Sequence, residues 1–505
     1  MVLVVLYLSN EAYERYDSKV ETEVLCNKSW LNCTNLINLI SINLFFEMKI
    51  MPGKYLSPPE CPFETIGDVL LEIGSQGDDP NKYKDYIYLL DEYHSFNEFR
   101  RRVKSGLDAK YCWWLMRLSR NNALINLAPL EDKPLPPDLP ESVNQALLQS
   151  PDFITNCRFN NLHEFSRVLS QIDRYTTHGA MLGILEQIGE SAHFEHLKNN
   201  LIDDEAISSS QLEGAATTTI LAKEMLRKKR KPRTEDERMI SGNFDLMQAA
   251  WDLKEEPLSI GLIQELHKVG TQTLEQKKYA SGAFRIRDNV VVVNSIGETV
   301  HQPPKHDAIE RLLSRVANWL NSTDDQIHPV IRAITLHFVI GYVHPFLDGN
   351  GRVARALFYW YMFKCGYTGF RYIAISALLK KAPIQYGQSY LDCEHDNLDL
   401  TYFIKYQLSV IHLAIAEFMS IYERAAYRMN ELDEQYSGLE DIDKKIIGFV
   451  AGEPRYRKKP TITARETERL LGVSYNTVKQ KLDDMVTAGI LGREKMGKAT
   501  EYFLV

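Results

Sequence analysis

Apolar residues along most of this chain recur at the three-to-four residue spacing of helices. The pattern is clearest over Ala308–Leu320, Val330–Val343, Arg352–Lys364 and Leu400–Ala426, and it predicts a helix at each. Asn289–Gln302 (NVVVVNSIGETVHQ) breaks the rhythm. There β-branched residues crowd together, Gly297 supplies a turn and Pro303–Pro304 stop the pairing, so a β-hairpin is expected. Pro129–Pro140 (PLEDKPLPPDLP) is dense in proline, which excludes helix and stiffens a connector. It divides an N-terminal region, to which no chemistry is assigned, from a helical stretch beginning at Glu141. Trp113, Trp114 and Leu115 are expected to be core.

The tail from Pro460 to Val505 has a different design. Thr463 is placed to cap a helix with Glu466 as its capping-box partner. Leu470–Ser474 reads as a turn, Ser474 as the cap of a second helix through Val486, and Ile490–Val505 as two strands around Gly497. This is the pattern of a winged helix-turn-helix domain, with Tyr475, Asn476, Lys479 and Lys481 on or near its recognition helix.

At 505 residues the chain is long enough for two to four domains. Its net charge of −8 provides no overall basic field, so any nucleic-acid contact has to come from a local patch. The basic runs Arg227–Arg233 and Arg455–Lys459 read as solvated loops. Seven scattered cysteines without a C-x-x-C pair argue against a disulfide framework and a structural zinc site, and fit a cytoplasmic protein. The N-terminus lacks the basic segment and cleavage site of a signal peptide, and no stretch is long and apolar enough to span a bilayer. Residues 1–47, rich in Asn, Leu and Ile, differ in composition from the remainder and are expected not to be native, through an upstream start.

The segment with the most chemistry is His344–Arg355, HPFLDGNGRVAR. Asp348-Gly349-Asn350-Gly351 cannot continue the preceding helix, because glycine and Asn favour turns and positive φ. A glycine-bearing loop that opens a helix presents free N–H groups and the positive dipole end, which suits phosphate oxygens. Arg352 and Arg355, three apart, share a face at that end, and their forked guanidiniums match phosphate. His344, with an ordinary pKa of roughly 6.5, can accept a proton. Asp348 is a hard oxygen ligand suited to Mg²⁺ bridging phosphates, and Phe346 is expected to anchor the loop inward. Together these are the parts for phosphoryl-type transfer.

The segment resembles the signature of the Fic family, H-x-F-x-[D/E]-G-N-G-R-x-x-R, at every fixed position. The likeness extends from about Asp203 to about Leu408, with Ser281–Pro304 similar to the family's hairpin flap. It implies a mainly α fold: a Fic-type helical bundle with a β-hairpin flap, plus the C-terminal winged helix-turn-helix. The domains expected are 1–128, a helical region at 141–256, the Fic domain at 257–408 and the tail at 440–505. Fic enzymes typically move AMP from ATP to a Ser, Thr or Tyr hydroxyl of a target protein. On that likeness His344 is the base and Asp348 holds Mg²⁺ at the α- and β-phosphates. The amides around Gly349, Asn350 and Gly351 cradle phosphate oxygens, Arg352 holds the β-phosphate and Arg355 the γ-phosphate. Val290, Val291, Val292 and Val293 of the flap dock an extended target segment, and Tyr386 contacts the nucleoside. Relatives carry a second tyrosine where this chain has Gly387.

Upstream, Glu205–Thr219 (EAISSSQLEGAATTT) places Ser209 and Glu213 four residues apart, hence on one helical face, with Gly214 following. It resembles the family's inhibitory motif [S/T]-x-x-x-E-[G/N], which implies that Glu213 pairs with Arg355 and keeps ATP from seating for attack. In some relatives the same glutamate assists removal of AMP. The expected partners are ATP and an unidentified target protein, with no membrane. DNA contact and self-association both stay open for the tail. Two rivals stand beside adenylyl transfer: a DNA-binding regulator with a nucleotide-sensing Fic domain, and a Fic enzyme moving another phosphate-containing group.

Overall fold

The computed structural model describes residues 57–132 (except 92), 154–188, 203–450 (except 294–296, 323–325 and 437) and 461–505 (except 497–498), with residues 140 and 143. The expectations for residues 1–47, for Arg455–Lys459, for Gly497 and for most of the proline-dense connector fall outside them.

Short polar side chains set many of the helix ends. In the N-terminal region Thr65, Ser95 and Asp108 accept from backbone N–H groups at the starts of α1 (Ile66–Ser75), α2 (Phe96–Arg102) and α3 (Ala109–Arg120), each replacing a missing helical partner. These helices surround Trp113, Trp114 and Leu115, which are buried as expected. The antiparallel pair β1 (Leu124–Asp132) and β2 (Ile154–Asn160) follows. This corrects two expectations. The prolines were to begin a connector at Pro129, yet Pro129–Asp132 are strand, and the region after Glu141 was to be helical, yet it contains β2. Pro129 is tolerated because the register shifts on both sides of it, so the missing N–H falls at an irregular position.

Beyond these come α4 (His163–Thr176), α5 (His178–Ile188), α6 (residues 203–212) and α7 (Thr219–Arg227). Then follow α8 (Glu235–Asp252), α9 (Ile260–Thr271) and the short α10 (Gln276–Tyr279). Past the hairpin of β3 (Val292–Val293) and β4 (Thr299–His301) lie α11 (Ile309–Asn321), α12 (Pro329–Val343) and α13 (Asn350–Lys364). The helices α14 (Ile375–Leu379), α15 (Pro383–His395) and α16 (Thr401–Gln435) complete the bundle.

The middle of the molecule is the pair α12 and α13. Every residue from Val330 to Val343 except Gly341 is buried, so α12 is enclosed on all sides and its side chains pack in every direction. Each fully buried Leu, Ile or Phe contributes about 1.5–3 kcal/mol. The polar residues on it are satisfied: Arg332 Nη2 donates to the carbonyls of Trp319 and Leu320 at 2.7 Å each, closing the end of α11. An ion pair between Arg117 and Asp396, 2.7 Å long and largely buried, ties the N-terminal region to the end of α15.

At the C-terminus α17 (Asp441–Val450), α18 (Ala464–Leu471) and α19 (Tyr475–Thr487) pack on a three-stranded antiparallel sheet. Its order is β5-β7-β6, with β5 Ile462–Thr463, β6 Leu491–Met496 and β7 Ala499–Leu504. Thr463 and Glu466 form a reciprocal capping box and Ser474 caps α19. Tyr475, Asn476 and Lys479 are exposed on α19, whereas Lys481 pairs with Glu440 and Asp443, so its ammonium faces α17. Among the described residues no helix is long and apolar enough to cross a membrane.

Candidate active site

The loop between α12 and α13 begins with strained backbone. His344 caps α12 in the left-handed region, φ 47° and ψ 58°, which costs a non-glycine residue about 1–2 kcal/mol. The buried Arg285 holds it there. Its Nε donates to His344 O at 2.9 Å, its Nη2 to Val343 O at 3.3 Å and to Pro304 O, and its backbone N–H to Pro345 O at 2.9 Å. The His344 ring is fixed by Nδ1, 3.2 Å from Gly341 O. A carbonyl only accepts, so Nδ1 carries the proton of the neutral ring and Nε2 keeps its lone pair. Burial holds the imidazole pKa below its ordinary value, which maintains that neutral, basic form.

Phe346 is fully buried, stacked on the His267 ring at 3.7 Å between centroids. The Asn350 side chain closes the loop, accepting from Phe346 N and donating to Phe346 O, both at 2.9 Å. That side chain is therefore a latch, and the backbone N–H of Asn350 is what remains for a ligand. Gly349 has φ 90° and begins α13; a Cβ there would press on Arg352 Nη2 and His267 Nε2 at 3.2 and 3.3 Å. His267 itself joins two segments. Its Nδ1 accepts from Gly282 N and its Nε2 donates to Asp348 O, both at 2.9 Å. Burial drops its pKa to about 4, so it bridges as a neutral ring.

Arg352 is 2% exposed. Nη1 reaches Gly270 O at 3.3 Å and the guanidinium lies 5.4 Å from the Tyr279 ring centroid. Nε and Nη2 have no hydrogen-bond partner among the described residues. A buried guanidinium with orphaned N–H groups is costly, and an anion at the start of α13 would relieve it, where the first amides also lack helical partners. The Asp348 carboxylate accepts from Gly349 N at 2.6 Å through Oδ1 and meets Lys278 Nζ at 2.8 Å through Oδ2. No group of three or more metal-ligating side chains occurs among the described residues. A lone carboxylate beside a phosphate cradle suits Mg²⁺, which characteristically takes one or two carboxylates together with substrate phosphates. The residues present fit that ion and a nucleoside triphosphate.

Arg355, also on α13, is 3% exposed and engaged by the segment at the end of α6. Its Nε donates to Ser209 Oγ at 2.8 Å, and its Nη2 to Ser209 O at 3.0 Å and Glu213 Oε1 at 2.8 Å. Burial works against its charge, yet Glu213, Tyr386 and Glu205 together outweigh it and the pKa rises. Ser209 lies on α6 and Glu213 in the turn just after it. A Cβ on Gly351 would overlap Glu213 Oε1 and stand 3.1 Å from Arg355 Nη1, so the close approach requires glycine at 351. This segment is fastened to the bundle by Glu205, whose two oxygens accept from Ser376 N at 2.8 Å and Ser376 Oγ at 2.5 Å.

Among the described residues the hairpin is shorter than its sequence suggests. Val292 pairs with His301 and Val293 with Thr299, while Val290 and Val291 precede the paired strand. Val291 and Val293 are exposed. Tyr386, on α15, is partly buried and lies 2.7 Å from His337 Nε2 through its hydroxyl; burial depresses His337 to about 3. Gly387 is exposed, and a Cβ at that position would meet open space. The structure thus brings His344, Asp348, Arg352, Arg355, Ser209 and Glu213 to one end of α13. Residues that sequence reasoning did not single out are Arg285, His267, Lys278, Tyr279 and His337. They carry no local motif, and only the fold shows their contacts.

The chain carries a Fic domain: residues 257–362, the stretch that holds this loop, match the Fic/DOC family. The chain is 26% identical over 192 residues to a protein named protein adenylyltransferase Fic from Drosophila yakuba, covering 37% of this chain and 35% of the relative. The Drosophila willistoni protein of the same name is 26% identical over 190 residues, covering 36% and 34%. The chain therefore spans about a third of the length of the curated relatives it matches. Among solved structures, a Fic family protein from Desulfovibrio desulfuricans G20 aligns with 68% of this chain and 95% of its own, at 17% identity and a TM-score of 0.43. A Fic domain containing signaling protein from Bacteroides thetaiotaomicron covers 52% and 97%, at 21% and 0.41.

Proposed function

We propose that this chain is a protein adenylyltransferase, moving AMP from ATP to a hydroxyl of a target protein, with Glu213 holding the reaction down. The observation that carries the reading is the meeting, on one loop, of a neutral His344 with its Nε2 lone pair free and a buried Arg352 with two orphaned N–H positions. The names of the matching relatives point the same way.

In the proposed reaction the target hydroxyl gives its proton to His344 Nε2 as its oxygen attacks the α-phosphorus. The bond from that phosphorus to the bridging oxygen of the β-phosphate breaks, and pyrophosphate leaves with the electron pair. Arg352 would hold the β-phosphate through Nε and Nη2, and the amides at the start of α13 would take phosphate oxygens. Asp348 would hold Mg²⁺, which when bound supplies positive charge to the α- and β-phosphate oxygens. Arg355 would hold the γ-phosphate once Glu213 releases it. The exposed backbone of Val290–Val293 would dock an extended target segment by main-chain hydrogen bonds, with little demand on its sequence.

The test uses ATP labelled at the α- or the γ-phosphate and a cell lysate. Glu213→Gly should pass the α-label to protein and not the γ-label, and adding His344→Ala should remove the transfer. Transfer of the γ-label, or α-labelling that survives His344→Ala, would overturn the proposal.

A further inference from the structure

Asp348 is already paired with a cation, and it is one of the protein's own. Both of its carboxylate oxygens are engaged: Oδ1 by the Gly349 amide at 2.6 Å, Oδ2 by Lys278 Nζ at 2.8 Å. The first contact is internal to the loop and belongs to its turn. The second comes from α10, seventy residues earlier in the chain, so Lys278 pairs with the carboxylate oxygen that the Gly349 amide does not engage.

The lysine is held loosely. Its side chain is 57% exposed, its ammonium lies 5.0 Å from the Tyr279 ring centroid and 3.4 Å from the Tyr279 hydroxyl. Tyr279 is buried and also underlies Arg352 at 5.4 Å. One fixed ring thus underlies a fixed guanidinium and a movable ammonium at the same end of α13. A flexible four-carbon stem with a strongly hydrated head can leave this position for water at small cost.

We propose that Lys278 is a built-in stand-in for the divalent cation, pairing with Asp348 until the metal displaces it. Cation binding is then an exchange: the metal gains a carboxylate oxygen and the ammonium returns to solvent. The apparent affinity of the site is lowered by the strength of the Lys278–Asp348 pair. This inference rests on the reading that Asp348 holds the metal, and the experiment separates the two.

The measurement is Mn²⁺ binding to the full chain, read from the free-ion signal in electron paramagnetic resonance at low ionic strength. An exposed pair is worth up to about 1 kcal/mol, so Lys278→Met should bind Mn²⁺ about two- to five-fold more tightly than the unmodified chain. Lys277→Met removes the same charge from the exposed neighbouring position and should change the affinity distinctly less. Asp348→Asn should lose the site. Equal affinity in Lys278→Met and the unmodified chain overturns the inference. So does equal tightening by Lys277→Met, which would assign the effect to the general field of charge. If Asp348→Asn binds as the unmodified chain does, the metal lies elsewhere and it is the reading of Asp348 that fails.

Discussion

Replacing Glu213 tests the proposed brake most directly. In the structure Glu213 Oε1 lies 2.8 Å from Arg355 Nη2, a charge-assisted hydrogen bond to a guanidinium that is 3% exposed. The Glu213 side chain itself is 26% exposed, so the pair is partly shielded from water. A hydrogen bond to a charged group in such a place is worth about 1.5–3 kcal/mol. If that energy opposes the seating of the γ-phosphate on Arg355, its removal should raise the transfer rate about 10- to 150-fold. Arg355 would keep its two contacts to Ser209, at 2.8 and 3.0 Å, so the guanidinium stays oriented and the fold should survive. Autolabelling with α-labelled ATP, followed over time, reads the effect. Glu213→Gly should label strongly where the unmodified chain labels weakly, and Glu213→Gln, which keeps the shape without the charge, should fall between. Equal labelling by all three, with His344→Ala silent, would refute the brake while leaving the transfer reaction intact.

Other expectations follow from the same geometry. His344→Ala should abolish labelling and leave ATP binding by calorimetry within about two-fold, since the ring removes a proton and holds no phosphate. Because burial lowers the His344 pKa, the pH–rate profile of Glu213→Gly should stay flat as pH falls through about 6.5 and decline only below it; a decline centred at or above that value would contradict the buried, neutral ring. His267 has a folded pKa of about 4 against roughly 6.5 unfolded. The unfolded chain therefore binds the extra proton first, and the contribution is full above pH 6.5 and lost as pH falls toward 4. That difference amounts to about 3 kcal/mol, so urea unfolding of His267→Gln should lack this part of the acid destabilisation. Gly341→Ala would set a Cβ 2.6 Å from the Tyr390 hydroxyl, which overpacking makes about 1–3 kcal/mol less stable; an unchanged melting temperature would show that Tyr390 can move aside.

The parts of this molecule legible in advance are those in which chemistry demands a residue type at a fixed spacing. Helix α13 could be placed because apolar residues from Arg352 to Lys364 recur at helical intervals and Arg352 and Arg355 share a face. The capping of α18 and α19 by Thr463 and Ser474 is likewise local. Strand β1 was not legible, since prolines ordinarily end pairing and only the irregular register at Pro129 admits them. The hairpin was overestimated because β-branched composition signals a strand without saying how much of it finds a partner. Most of the site's environment was illegible for a different reason. His267 meets the Asp348 carbonyl across 81 residues; the Glu213–Arg355 pair, across 142, was expected only because the segment resembles the family's inhibitory motif. No periodicity carries such pairings, and only the packing of α9 and α6 against α13 creates them.

Gly351 shows how the two readings of this site constrain each other. In the signature a glycine here looks like a concession to a phosphate, which must approach the backbone closely. The structure shows a carboxylate against that position, with Glu213 Oε1 close enough to overlap a Cβ there. A carboxylate and a phosphoryl group present similar oxygens at similar spacing, so a notch shaped by glycine and faced by Arg355 accepts either. It cannot accept both, since two anions would share one guanidinium without the room or the charge to support them. On the proposed function, inhibition therefore needs no rearrangement of His344, Asp348 or Arg352. One side chain occupying the triphosphate's far end is enough, and whatever withdraws the Glu213 turn from Arg355 would restore the site.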